Sequence, residues 1–482
     1  MKMQLKAKFS KVVYLLLFTL LIIGCEKDNY CVVNNLSLNE ISTYYDGQWQ
    51  GITVASDGAC YFGSSAHNLV HGGGFFKFDP DSEKIEVIVK DLTDLVGDDI
   101  NKFTPQGKIH SPIIEIDRKL YLATHLASYW QDVLDLYSGS YFLDYNIDTK
   151  EWNNYGIIKK RYSTYSAIEV DSKREKAYTM AVPFSPKDFT EGIRLFEIDL
   201  NTKEKTDLGK IGSGSASYFF FLDNIGRVWI SMWKGEGSLY CYEPETEGIV
   251  EYKNAFPEPK YVSGEDIIYS PMNEGAAWTW LQSIEDGQKC IFAMGDSGGG
   301  DERLWVFDPH QDIASGDAFQ PLCDIGNTFL SVTLGGDRVY FIQRGNNEDS
   351  RNYDTIEMRD QPADQNGHHV NDLHLRSVSL NPLHDYEIID HGKLIDEKGR
   401  TPAYIGSIAA DRLGNVYMSG AWLILKDDQG SLQYVHKSID GKVYGPKSRP
   451  KREENFTKKS GEDYIALKRG EFFSWVNVSK DF

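Results

Sequence analysis

Two histidines, His110 and His125, bracket the segment HSPIIEIDRKLYLATH, an alternating run that turns at Asp117 and returns. Such a run is a β-hairpin, and its two ends lie side by side. An imidazole exchanges its proton near neutral pH, so a base or an acid can be built from either ring. Arg344 ends the comparable segment LSVTLGGDRVYFIQR, and a guanidinium grips a planar carboxylate through two parallel hydrogen bonds. Matching places in other segments supply Gln50, Tyr162, Tyr165, Tyr218, Trp233, Trp278, Trp280 and Tyr404. Aromatic walls with a few convergent polar groups make a ligand site, and sugar rings stack on such walls. No carboxylate pair accompanies them, which speaks against glycoside hydrolysis. No Gly-x-Ser-x-Gly elbow marks a serine hydrolase.

The elements that must hold these residues are hairpins of one repeating design. Acidic turns fall at Asp57, Asp117, Asp171, Asp223, Asp286, Asp337 and Asp411, each between an alternating run and a second run centred on Tyr or Trp. A third run follows in most copies, as in FFKFDPDSEKIE from Phe75 and LFEIDLNTKEKTDLG from Leu195. The spacing, roughly 50–75 residues, is long for a β-helix and suits propeller blades. Aromatic residues make up 13% of the chain and helix-period segments are scarce. The expected fold is all-β: a seven-bladed β-propeller of four-stranded antiparallel blades spanning residues 37–482. In each blade the start of the first strand and the end of the second meet at one mouth of the channel. That mouth is where His110, His125 and Arg344 are expected to converge.

The N-terminus reads as an export signal. Lysines at positions 2, 6, 8 and 11 precede an apolar run to Ile23, which ends in Gly24-Cys25. A small residue before cysteine resembles the bacterial lipobox, which implies cleavage of residues 1–24 and lipidation of Cys25. Residues 25–36 would form a polar leash of the kind found in Bacteroidota lipoproteins. An outer-membrane lipoprotein, held by its lipid alone and facing periplasm or cell surface, is the expected product. The net charge of −20 argues against nucleic acid as a partner. A monomer without cofactor or metal is expected. Cys31, Cys60, Cys241, Cys290 and Cys323 show no C-x-x-C spacing, and three of them fall in apolar strands as small hydrophobes. His368, His369 and His374 have no cysteine at a convincing zinc-ligand spacing.

The segment TPQGKIHSPIIEIDRKLYLATH, Thr104 to His125, resembles the propeller polysaccharide lyases, the ulvan lyases in particular. The resemblance implies β-elimination at a uronic acid of an anionic polysaccharide. It implies His110 and His125 as the histidine pair with His110 as base, Tyr162 or Tyr165 as acid, and Arg344 as the carboxylate partner. The spacing of the histidines is short for that family. The rival expectations are a carbohydrate-binding propeller without catalysis and a protein-interaction scaffold. A gluconolactonase-type propeller requires Asp, Glu and Asn at the mouth, and none projects there.

Overall fold

A computed structural model describes residues 29–127, 134–212, 216–233, 237–256, 277–295, 302–326, 328, 331–344, 373–399, 402–423, 431–437, 443–444 and 464–481. At residues 295, 344, 403–404, 421, 423, 431–437, 443–444, 464–470 and 481 it describes the backbone alone. The signal segment and Cys25 lie outside the described residues, as do His368 and His369. Among the described residues no helix is long and apolar enough to cross a membrane.

Alternating sequence becomes antiparallel sheet, as expected. The strands Ile52–Val54, Cys60–Ser64, Gly74–Asp79 and Lys84–Val89 form one sheet in sequence order. The next is built on Gln106–Ile109 and Ile114–Ile116, which both pair with Lys119–Leu126, followed by Tyr141–Asn146 and Trp152–Ile157. Three further sheets repeat the pattern, with second strands at Lys176–Pro183, Val228–Ser231 and Lys289–Gly295.

The count of seven separate blades is corrected. Among the described residues five sheets stand as discrete four- or five-stranded blades, and the remaining strands join in one ten-stranded sheet. The strand Tyr30–Ser37 makes the join. Its Tyr30–Val33 half runs parallel to Ile388–Asp396, and its Asn34–Ser37 half runs antiparallel to Tyr464–Asn477. Residues expected to be leash are therefore sheet from Tyr30 onward. The physical reason is alternation: Cys31 and Val33 point into a core with Leu375, Leu394 and Trp422, while Tyr30 and Val32 stay exposed.

The sheets pack face to face around a ring. Tyr61 and Phe75 of the first meet Leu120, Leu122 and Tyr145 of the second. Tyr178 and Met180 meet Ile230 and Tyr240. Trp229 and Cys241 meet Trp278, Phe292 and Trp305. Trp280 and Ile291 meet Phe341 and Val378. Tyr417 and Phe473 of the ten-stranded sheet return to Phe62 and Phe78 of the first. Each sheet buries both faces against neighbours, which a lone four-stranded sheet cannot do. Cys60, Cys241 and Cys290 are buried free thiols within these layers, and Cys31 is buried there too.

The acidic turns hold the hairpins. Asp223 Oδ1 accepts the backbone N–H of Ile225 and Arg227, at 3.2 and 2.8 Å, and its Oδ2 accepts the indole N–H of buried Trp229 at 3.0 Å. Asp411 does the same for Leu413 and Asn415. Gly226 and Gly414 supply the left-handed backbone these turns require, at φ 92° and 79°. Asp223→Ala would strand the Trp229 N–H in the core and free the turn. The expected cost is about 2–4 kcal/mol in urea unfolding, since a buried donor without a partner costs its desolvation. An unchanged midpoint would show that the turn carboxylate holds nothing.

Candidate functional site

The site gathers where first strands begin and second strands end. The approach of two sheets builds its floor. Ala66 donates its backbone N–H to Gly107 O at 2.8 Å, just past the second strand of the first sheet. A Cβ on Gly107 would lie 2.1 Å from Ala127 Cα and 2.8 Å from Ala66 O, so only glycine allows this closeness. The next residue, Lys108, is paired across the strands with His125 and is 2% exposed.

Lys108 Nζ lies 2.9 Å from His67 Nε2. The other nitrogen of His67, Nδ1, lies 2.8 Å from Asp46 Oδ1, which also accepts the His67 backbone N–H. A carboxylate accepts only, so Nδ1 carries the proton and Nε2 accepts from Lys108. Burial pulls the Lys108 ammonium down to about 7, against a smaller upward pull from Asp46.

His110 and His125 lie beside it with ring centroids 5.2 Å apart. His125 is buried, and its Nδ1 lies 3.0 Å from the Thr164 carbonyl, which fixes the proton there and leaves Nε2 as a lone pair. Ser163 Oγ lies 2.6 Å from the same nitrogen. His110 Nδ1 lies 3.1 Å from Gln50 Oε1 and 3.0 Å from Ser166 Oγ. Gln50 and Ser166 both have left-handed backbones, at φ 62° and 89°, and strain of this kind gathers at functional sites. Gln50 Nε2 is buried without a hydrogen-bond partner in the structure.

Burial first, and the Lys108 charge second, hold His110 at about 3. The same causes keep His125 well below the usual imidazole range. Both rings are neutral at physiological pH. In the unfolded chain His110 takes its proton near 6.5, so the folded state binds fewer protons between about 3 and 6.5. Stability therefore rises with pH across that window and is lost as pH falls through it. His110→Asn should flatten this part of the urea-stability profile. An unchanged slope would show that His110 is not held neutral.

Aromatic rings form the walls. Tyr165 is half-buried, with its ring 4.6 Å from His110 and 5.4 Å from His125. Phe184 lies 5.6 Å from His125, and Trp49 stacks 6.5 Å from His110. Tyr218 lies 6.0 Å from Tyr165, and Trp233 a further 5.4 Å on. Desolvation raises the Tyr165 phenol, which stays protonated at neutral pH.

Of the residues expected from sequence, the structure thus brings together His110, His125, Tyr165, Gln50, Tyr218 and Trp233. It sets three aside. Tyr162 is buried elsewhere, its hydroxyl on Glu191 and the Asp188 carbonyl and the Lys159 ammonium over its ring. Trp278 donates to the Phe219 carbonyl inside a core with Phe256 and Phe292. Trp280 packs with Ile291 and Phe341. A register shift between Trp278 and Trp280 sends both side chains into layers between sheets. Arg344 ends the strand Arg338–Arg344 opposite Leu373, and Tyr404 lies opposite Ala421; their side chains lie outside the described residues. His374 pairs with Asp390 at 3.0 Å. Among the described residues no group of three or more His, Cys, Asp or Glu could hold a metal ion.

Sequence reasoning missed Lys108, His67 and Asp46. The signal was Lys108 two places before His110, on a strand whose every residue is buried.

No family model matches the chain, and no curated protein matches it in sequence. Several solved structures are similar in architecture. An oligogalacturonate lyase in complex with manganese is 9% identical, with 93% of this chain and 98% of that chain covered and a TM-score of 0.46. The Niastella koreensis GH74 enzyme is 11% identical, with 84% and 57% covered and a TM-score of 0.47. Kuenenia stuttgartiensis hydrazine synthase is 9% identical, with 77% and 92% covered and a TM-score of 0.44. Their chemistries differ, and likeness at this level selects none of them.

Proposed function

We propose that this protein is a polysaccharide lyase that cleaves a uronate-containing glycan by β-elimination. The observation that carries the reading is the convergence of Lys108, His110, His125 and Tyr165 at one set of hairpin ends. The carboxylate beside them, Asp46, is committed to His67. Hydrolysis of a glycosidic bond requires two carboxyl groups flanking it. Elimination requires a base for the proton next to the uronate carboxylate, an acid for the departing oxygen, and donors for the developing charge.

Lys108 suits the base better than His110. A general base works best with a pKa near the working pH, where Lys108 is held and His110 is not. Its neutral amine takes the C5 proton, the electron pair forms the C4–C5 double bond, and the C4–O bond breaks toward the leaving sugar. Tyr165, protonated and adjacent to both histidines, supplies the proton to that oxygen. His110 presents an acceptor to a sugar hydroxyl, His125 packs against its ring from within, and Gln50 Nε2 is a buried donor awaiting such a hydroxyl. Arg344 is assigned to the carboxylate. Trp49 and Trp233 stack on sugar rings, with the buried Tyr218 ring behind Trp233. Lipidation at Cys25 would tether this activity to the membrane, and incorporation of labelled fatty acid that is lost in Cys25→Ser tests the lipidation. The activity itself is tested by offering uronate glycans and looking for the unsaturated product.

The second reading is a carbohydrate-binding propeller without catalysis. The aromatic walls favour it, and it predicts binding with no product.

A further inference from the structure

A lysine that takes a proton from a substrate in a buried place must lose that proton before the next turnover. We propose that Asp46, His67 and Lys108 form a proton relay, in which His67 carries the proton from the Lys108 amine to solvent and Asp46 positions and balances the imidazole. The proposal rests on the lyase reading for its substrate, but its geometry stands without it.

The chain is continuous. Lys108 Nζ is 2.9 Å from His67 Nε2, and His67 Nδ1 is 2.8 Å from Asp46 Oδ1. The chain also runs from inside to outside. Lys108 is 2% exposed, whereas the His67 side chain is 32% exposed. After elimination Lys108 is an ammonium. One of its protons passes along the existing hydrogen bond to His67 Nε2, which gives back a neutral amine and an imidazolium. The Asp46 carboxylate offsets the imidazolium charge, and the ring then swings away from Lys108 and Asp46, releases its Nε2 proton to water and returns. Tyr165, left as a phenolate when the leaving oxygen takes its proton, recovers one from solvent. No proton is gained or lost over the cycle, and no co-reactant is needed.

The placement of His67 is deliberate in structural terms. Asp46 holds both its ring and its backbone N–H, and Asp46 is fixed by its own backbone N–H on the Ser65 carbonyl. The charged and titratable groups facing Lys108 are Asp46 and His67 from the first sheet's flanks and His110 and His125 from the second. Asp46 favours the ammonium, and the neighbouring lysine charge in turn disfavours protonation of both histidines.

The test reads Lys108 itself, with no glycan present. The ε-carbon shift of Lys108 in labelled full-length protein is followed against pH, together with the ring nitrogens of His67. The expected result is a Lys108 midpoint far below that of the surface lysines, with His67 ring shifts responding in the same pH range. Asp46→Asn should lower the Lys108 midpoint, because it removes the charge that favours the ammonium. His67→Gln keeps an acceptor for Nζ and should abolish the coupled response. A Lys108 that titrates with the surface lysines, or one whose midpoint ignores Asp46→Asn, overturns the relay. If the titrations behave as expected and no glycan yields product, the lyase reading fails and the relay stands. If product forms and the titrations do not couple, the reverse holds. In turnover, His67→Gln should cost less than loss of Lys108 and should be restored in part by free imidazole, which a purely structural role would not allow.

Discussion

Lys108→Arg is expected to abolish turnover of a uronate glycan while leaving the positive charge in place. A guanidinium cannot lose its proton at any working pH, so the variant keeps the cation and removes the base. Loss of general-base catalysis is worth about 10²–10⁴ in rate, and kcat should fall by at least about a hundredfold. Glycan affinity should change far less, because the base acts in the transition state and not in binding. A buried arginine is bulky, so Lys108→Gln is the companion variant. It fits the space with neither base nor charge and should be equally inactive. If Lys108→Arg keeps its activity, Lys108 is a charge partner and the base lies elsewhere, with His110 next in line. The two outcomes separate on pH as well. With Lys108 as base, kcat/KM of the wild type rises with pH through about 7, where the amine becomes neutral.

Tyr165→Phe is the second large effect. It removes one hydroxyl and keeps the ring between His110 and Phe184. The walls of the site therefore survive and glycan binding should persist. The leaving oxygen loses its proton donor, and kcat is expected to drop by about a hundredfold or more. The loss should be smaller on a substrate with a good leaving group, which departs without protonation. Tyr162→Phe is the control. Its hydroxyl serves Asp188 and Glu191, so it should alter stability slightly and leave kcat alone. Equal losses in both variants would mean that neither tyrosine is the acid.

The histidine pair was legible because a hairpin has only two ends that can meet. The run from His110 to His125 turns at its acidic residue as expected, but its first strand is broken between Ile109 and Ile114, so Lys108 rather than His110 pairs with His125 while the two rings still meet at 5.2 Å. The choice between Tyr162 and Tyr165 was not legible from alternation. Ser166 takes a left-handed backbone between them and the strand Ile168–Asp171, which breaks the two-residue rhythm. The same holds for Trp278 and Trp280, where a register shift redirects two large side chains into the core. Lys108 escaped notice because a lysine in a strand ordinarily faces water. Its burial comes from a neighbouring sheet, through the contact of Ala66 with Gly107, and no local pattern announces that. The blade count failed for a similar reason. Each repeat is visible by itself, but the strand that fuses the last sheets is Tyr30–Ser37, remote in sequence from both of the strands it pairs with.

The most direct measurement is of product. Purified protein is incubated with a panel of uronate-containing glycans, and the ultraviolet absorbance of a double bond conjugated to the uronate carboxylate is followed. The wild type is predicted to generate that absorbance on at least one glycan, and Lys108→Arg to generate none. Glycan that binds but gives no absorbance, or chains that shorten to saturated ends, would contradict β-elimination at this site.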